Sequence, residues 1–317
     1  MKINQMGSQN VQTLYLAGGC FWGVEGYFKK LHGVLTTTVG YANGKTEATD
    51  YHALAVTDHA ETLKVRYDAY KISLEELLDH FFRIIDPTTI NKQGNDVGRQ
   101  YRTGIYSEDG RVLERAREII EEKQKDYERT IRVEVAPLLH FIEAEDYHQD
   151  YLDKNPGGYC HINLALADEP LDYPKKEPES DAALKARIGD VAYDVVKHAG
   201  TERPFTSRYD KFDEEGIYVD IVTGEPLYSS RDKYDAGCGW PSFTKPIVSG
   251  ANEYRDDYSF GHRTEVRSTA SHLGHVFEDG PAETGHLRYC INGAALEFIS
   301  YDEMDEKGYG NYKKYVK

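Results

Sequence analysis

The stretch Asp168 to Ser180, DEPLDYPKKEPES, constrains this chain more than any other feature, with Pro170, Pro174 and Pro178 at every fourth position. Proline removes a backbone donor and fixes φ, and at this density of charge neither a helix nor a sheet interior accommodates it. The chain of 317 residues is therefore expected to form two domains, 1–167 and 183–317, joined by a linker over 168–182. Each part is long enough for a core of its own. Asp and Glu number 54 against 38 Lys and Arg, a net charge of −16 that repels phosphate backbones and anionic lipid, so neither nucleic acid nor membrane is an expected partner. No run of apolar residues reaches the length of a membrane span. Residues 1–12 carry no apolar run of signal-peptide length, and a cytoplasmic protein is expected.

The two parts differ in periodicity. Leu14 and Leu16 alternate with polar neighbours in TLYLAGG, as do Leu63, Val65 and Tyr67 in ETLKVRYD, which predicts two strands. Ser73 followed by Glu76 is a capping box, and the helix it opens is predicted to stop before Asp86-Pro87. A second helix is predicted over Arg111 to Tyr127, a strand in IRVEVAP, and a third helix over Glu143 to Lys154. This is a mixed α/β pattern. In the second part GIYVDIV, a Thr-Gly-Glu-Pro turn and PLYSS predict a hairpin. Strand-like runs follow at Thr264–Ser268, Leu273–Phe277 and Arg288–Ile299, and a helix is expected only at Ala182–His198. The second part is expected to be mainly antiparallel β.

Four cysteines are too few for a disulfide scaffold of this size. Cys20 follows Gly18-Gly19 at the end of a predicted strand and precedes the helix-like FWGVEGYFKK, where helix N–H groups favour thiolate. Cys160 lies in NPGGYC and Cys238 in GCGWPSF, both turn-rich. Cys290 lies in the strand-like RYCIN, with Arg288 on the same face, where a guanidinium would lower the thiol's pKa. Each part thus pairs one ordered cysteine with one in a Gly-rich loop, the arrangement thiol chemistry with a resolving partner requires. Four inert buried cysteines remain the alternative. No C-x-x-C pair exists, so a zinc site is not expected.

The motifs GGCFWGVEGYF, HAETLKVRYD and QGNDVGRQYRTGIY closely resemble the A type of peptide methionine sulfoxide reductase. GTERPF, GCGWPSF, SHLGHVFEDGP and RYCINGAALEF resemble the B type. Each type acts on one sulfoxide epimer. The resemblance implies a two-layer α/β sandwich with a mixed sheet, then a mainly antiparallel β domain with few helices. It implies reduction of S and R methionine sulfoxide in proteins or peptides, thioredoxin as reductant, and no cofactor.

Residue roles follow from the same resemblance. Cys20 is the implied nucleophile, Glu61 the general acid and Cys160 the resolving thiol, with no later cysteine in the first domain to relay the disulfide. Tyr51 and Tyr101 match hydroxyls that bind the sulfoxide oxygen, Asp96 supports the site, and Phe21 with Trp22 seats the methyl group. In the second domain Cys290 is the implied nucleophile, with Arg288 and Asn292 beside it, and Cys238 the resolving thiol. His272 and His275 match site histidines, His275 as proton donor, and Trp240 lies under the substrate methyl. Zinc-bearing relatives carry C-x-x-C pairs where this chain has Asp220 and Thr223 and no cysteine across Ser268–Ser271. The resemblance therefore points to the metal-free branch, with a short loop between Arg267 and His272.

Overall fold

The computed structural model describes residues 9–169, 171–249, 251–259 and 261–317. The N-terminal residues 1–8 and the linker proline Pro170 lie outside the described residues. The chain separates into two compact units, Val11–Leu171 and a second that holds Asp172–Lys317.

The first unit is built on β1 (Val11–Gly18), α1 (Phe21–Phe28), β2 (Val34–Ala42) and β3 (Ala60–Asp68). Its six-stranded sheet runs Glu134–Pro137, Thr103–Ser107, β1, β3, β2, Phe141–Glu143. Only the outer pair Thr103–Ser107 and Glu134–Pro137 is parallel, so the sheet is mixed. Side chains alternate across a strand. Leu14 and Leu16 enter the main core, while Tyr15 and Ala17 join a small cluster with Ala42, Ala60 and Tyr106. The helix Leu74–Ile84 buries Leu77, Leu78, Phe81 and Phe82, and the Ser73 hydroxyl accepts the Glu76 N–H at 3.1 Å. Each buried side chain of this kind contributes about 1.5–3 kcal/mol of transfer free energy.

The second unit has a three-stranded sheet, Pro226–Ser229, Gly216–Asp220, Leu296–Ser300, and a six-stranded one. The latter runs Lys233–Tyr234, Ser242–Phe243, Arg288–Ile291, His272–Phe277, Arg263–Arg267, Glu253–Asp257, antiparallel throughout. In this register Cys290 stands between Ser242 on one neighbour and His275 on the other.

Three expectations need correction. Glu143–Lys154 is not one helix: Phe141–Glu143 is a strand, turns follow, and only Tyr151–Lys154 is helical. Gln149 spends its amide on both backbone groups of Val39, at 2.9 Å each, and Asp150 sits at φ 52, so the segment serves as a cap on β2. Arg288–Ile299 is not one strand: after Ile291 a turn at Gly293–Ala295 hands the chain to the other sheet. The Asp181–His198 helix breaks at Gly189, whose φ of 85 is non-helical. The stretch after Leu171 forms neither helix nor strand up to Ser180, yet Lys176 donates its N–H to Thr223 at 2.9 Å and its ammonium to Ile221 at 3.1 Å. Buried Asp220 accepts the N–H groups of Val222 and Thr223 and the Ser268 hydroxyl. No helix among the described residues is long and apolar enough to cross a membrane.

Candidate active sites

Gly18-Gly19 ends β1 and delivers Cys20 to the start of α1. Gly19 has φ +87, and a Cβ there would lie 2.6 Å from the Gln93 Cβ, so the turn admits only glycine. Cys20 is 8% exposed, and burial pushes its thiol up to about 12, with Glu61 next, against the N–H groups of Trp22 and Gly23. The expectation that the helix terminus favours thiolate is thus reversed in the resting site, because desolvation outweighs it.

Glu61 enters from β3, opposite Tyr41 on β2. It is 2% exposed, its Oε2 accepts the Phe21 N–H at 3.1 Å, and burial raises its carboxyl to about 8. At neutral pH it carries a proton, and its charge no longer opposes ionisation of Cys20. Tyr51 and Tyr101 place their hydroxyls side by side, and burial followed by Glu61 raises both. Phe21 is buried beside Tyr41 and His148. Trp22 stacks on Tyr151 with ring centroids 3.7 Å apart and donates its indole N–H to His148 Nδ1 at 3.0 Å. Sequence reasoning missed Glu145, His148 and Tyr151. Their signal was the aromatic- and acid-rich EDYHQDY, read as plain helix.

Asp96 reaches toward the segment that carries Cys160. Its carboxylate accepts the Tyr159 hydroxyl at 3.2 Å and lies 3.5 Å from His161 Nδ1. The Cys160 thiol lies 3.2 Å from the Ile162 carbonyl, and a Cβ on Gly23 would sit 3.0 Å from its sulfur. The Cys160 thiol therefore rests over the first turn of α1.

The second site lies on the six-stranded sheet of its unit. A cavity of about 110 Å³ is lined by Cys290, His275, Trp240, Asn292, Arg263 and Phe277, among others. The sulfurs of Cys238 and Cys290 are 3.5 Å apart, and Cys238 Sγ is also 3.3 Å from the Ser242 hydroxyl. Burial pushes Cys290 up to about 12, with Cys238 adding and Arg288 opposing. Arg288 acts in the expected direction but does not win. Its guanidinium is bidentate to Asp279 at 2.7 and 2.8 Å and lies 4.5 Å over the Phe277 ring. Asn292 is buried at the cavity wall, where it accepts the Glu202 N–H at 3.0 Å and donates to the Leu273 carbonyl at 3.0 Å. Trp240 is pinned through its indole N–H to the Glu202 carbonyl at 3.1 Å. His275 meets Asp257 at 2.8 Å, and His272 meets Glu265 at 2.6 Å without lining the cavity. Burial lowers both histidines. Among the described residues no group of three or more metal-ligating side chains is gathered.

A family model of peptide methionine sulfoxide reductase matches residues 12–179, and a SelR domain model matches residues 188–300. The chain belongs to the peptide methionine sulfoxide reductases. An A-type domain is followed by a B-type domain, and the protein is an oxidoreductase of sulfur groups that reduces methionine sulfoxide. Similar solved structures each cover about half of this reductase. Mxr1 from Saccharomyces cerevisiae in reduced form is 40% identical over 49% of this chain and 93% of its own, with a TM-score of 0.46. Methionine sulfoxide reductase A of Corynebacterium diphtheriae is 37% identical over 49% of this chain and 80% of its own, with a TM-score of 0.47. Mxr1 in complex with Trx2 is 31% identical over 44% of this chain and 84% of its own, with a TM-score of 0.33.

Proposed function

We propose that the first unit reduces the S epimer of methionine sulfoxide in proteins and peptides and the second the R epimer, each with its own cysteine pair. The observation that carries this is the presence of two separate thiols, Cys20 and Cys290, each with a different titratable group at hand, Glu61 and His275. The Cys20 sulfur attacks the sulfoxide sulfur while the Glu61 carboxyl, neutral through burial, gives its proton to the sulfoxide oxygen and takes up the thiol's proton in its place. Tyr51 and Tyr101 orient that oxygen, and Phe21 and Trp22 receive the methyl group. The oxygen then passes to the Cys20 sulfur: its bond to the methionine sulfur and the transient S–S bond both break, methionine leaves, and Cys20 is a sulfenic acid. Cys160 then attacks that sulfur, water leaves, and a disulfide forms. The second unit follows the same sequence with Cys290, His275, Trp240 and Cys238. The Cys238 sulfur already lies 3.5 Å from that of Cys290, which favours closure of its disulfide. A thioredoxin-class dithiol returns each disulfide to two thiols by exchange.

The four free cysteines and the acidic surface suit a reducing, cytoplasmic setting without nucleic-acid or membrane partners. The test uses single sulfoxide epimers. Cys20→Ser abolishes S reduction and spares R, and Cys290→Ser does the reverse. A folded variant that loses both activities overturns the reading. Cys160→Ser still releases about one methionine per chain from the S epimer and then stalls with a dimedone-reactive sulfur.

A further inference from the structure

We propose that Asp257 is a positioning residue for reduction of the R epimer, holding the His275 imidazole so that its second nitrogen faces the sulfoxide oxygen. The inference rests on the reading of His275 as proton donor to that oxygen. Asp257 ends the Glu253–Asp257 strand at the sheet edge. Its Oδ2 meets His275 Nε2 at 2.8 Å and accepts from the Arg263 guanidinium at 2.6 Å, while Oδ1 accepts the Ser259 N–H at 2.8 Å. With these donors on it, Asp257 is held well below the usual carboxylate range, so it stays an anion and does not take the imidazole's proton.

This contact fixes the chemistry of the ring. With Nε2–H given to Asp257, Nδ1 of neutral His275 is a bare acceptor, and only the imidazolium presents Nδ1–H as a donor. His275 is the cross-strand neighbour of Cys290, and both line the cavity with Trp240. The proton balance needs no outside acid. The Cys290 thiol gives its proton to Nδ1, and the thiolate attacks the sulfoxide sulfur. The imidazolium returns that proton to the oxygen, which leaves with Cys290 as a sulfenic acid while methionine is released.

The other groups facing His275 do not replace Asp257. Glu265, its neighbour on the Arg263–Arg267 strand, accepts from His272 at 2.6 Å and Arg267 at 2.9 Å. Arg263 and His272 disfavour the imidazolium, as does burial, while Asp257 favours it. Cys290 lies opposite. The helix Asp181–His198, which packs against the same strand, buries only Leu184, Ala192, Val195 and Val196.

The experiment follows first-turnover reduction of an R-sulfoxide peptide by the full chain between pH 5 and 9, alongside an NMR titration of His275. Asp257→Asn is expected to lower the rate about tenfold from neutral pH upward and to move the acid limb, where His275 takes up a second proton, down by about one pH unit, with little loss at the acid end. The His275 titration moves with it, and Asp257→Glu restores most of both. An equal loss at every pH with an unchanged His275 titration, or an unchanged profile, overturns the proposal. If Asp257→Asn does not fold, Asp257→Glu decides, because its profile must track the measured His275 titration. His275→Asn separates the two levels. If it still reduces the R epimer, the donor reading itself fails. If it is inactive while Asp257→Asn behaves as wild type, only the role of Asp257 falls.

Discussion

Glu61 and His275 stand beside their cysteines but are held in opposite ways. Glu61 is buried with one backbone N–H as its bonded partner in this site, and burial raises it to about 8. His275 is partly buried, burial lowers it, and a carboxylate at 2.8 Å works against that shift. Desolvation disfavours the charged form of either group. It therefore keeps a proton on an acid and strips one from a base. A carboxyl donor needs only burial, whereas an imidazole donor needs burial offset by an anion. The thiols differ too. Cys238 is 3.5 Å from Cys290, whereas Cys160 is bonded to the carbonyl of its own loop residue Ile162.

The largest effect that sharpens this contrast is expected from Glu61→Gln. Removing a general acid costs about a hundredfold or more in the first S-epimer turnover and leaves the R epimer unaffected. Rapid-quench assays on separate epimers measure it. The same change has a stability signature. A carboxyl raised from 4.5 to about 8 stabilises the fold fully below pH 4.5 and loses that contribution as pH rises through about 8. Glu61→Gln should therefore be more stable than wild type at pH 9 and not at pH 4, by denaturant unfolding of the first unit. A smaller effect is expected from Gly23→Ala, whose Cβ would meet the Cys160 sulfur and the Ile162 side chain at 3.0 Å. Reductant-supported cycling on the S epimer should fall several-fold while the first turnover persists. If both fall together, the loop does not dock over α1. The smallest effect lies outside both sites. Gly189→Ala places a side chain at φ +85 in open space, and should destabilise the second unit by about 1 kcal/mol without changing either activity.

Much of the fold was legible because local chemistry and tertiary structure agree. Ser73 and the Leu77, Leu78, Phe81, Phe82 stripe fix one helix, and the Gly18-Gly19 turn fixes the approach of Cys20. Reading failed where side chains serve distant backbone. Gln149 caps β2, so its segment cannot be a helix, and no local pattern announces that. The strand Val34–Ala42 went unread although its Thr36–Val39 run is β-branched. At the sites, spacing brought forward the cysteines and the resemblance of the motifs brought forward Glu61 and His275, but neither brought forward the groups that tune them. Asp257 is 18 positions from His275 and becomes its neighbour only through the antiparallel register of three strands. The direction of the cysteine shifts was misread because burial is not visible in a helix-terminus or strand-face pattern.

The most direct test of two sites with separate proton donors is a pair of pH profiles on one chain. First-turnover rates for the S and R epimers are measured from pH 5 to 10 for wild type and Glu61→Gln. The account predicts that wild-type S reduction falls as pH rises through about 8, that Glu61→Gln removes that limb, and that the R profile is the same in both proteins. An R profile that changes with Glu61→Gln, or an S profile that keeps its limb without Glu61, would contradict it.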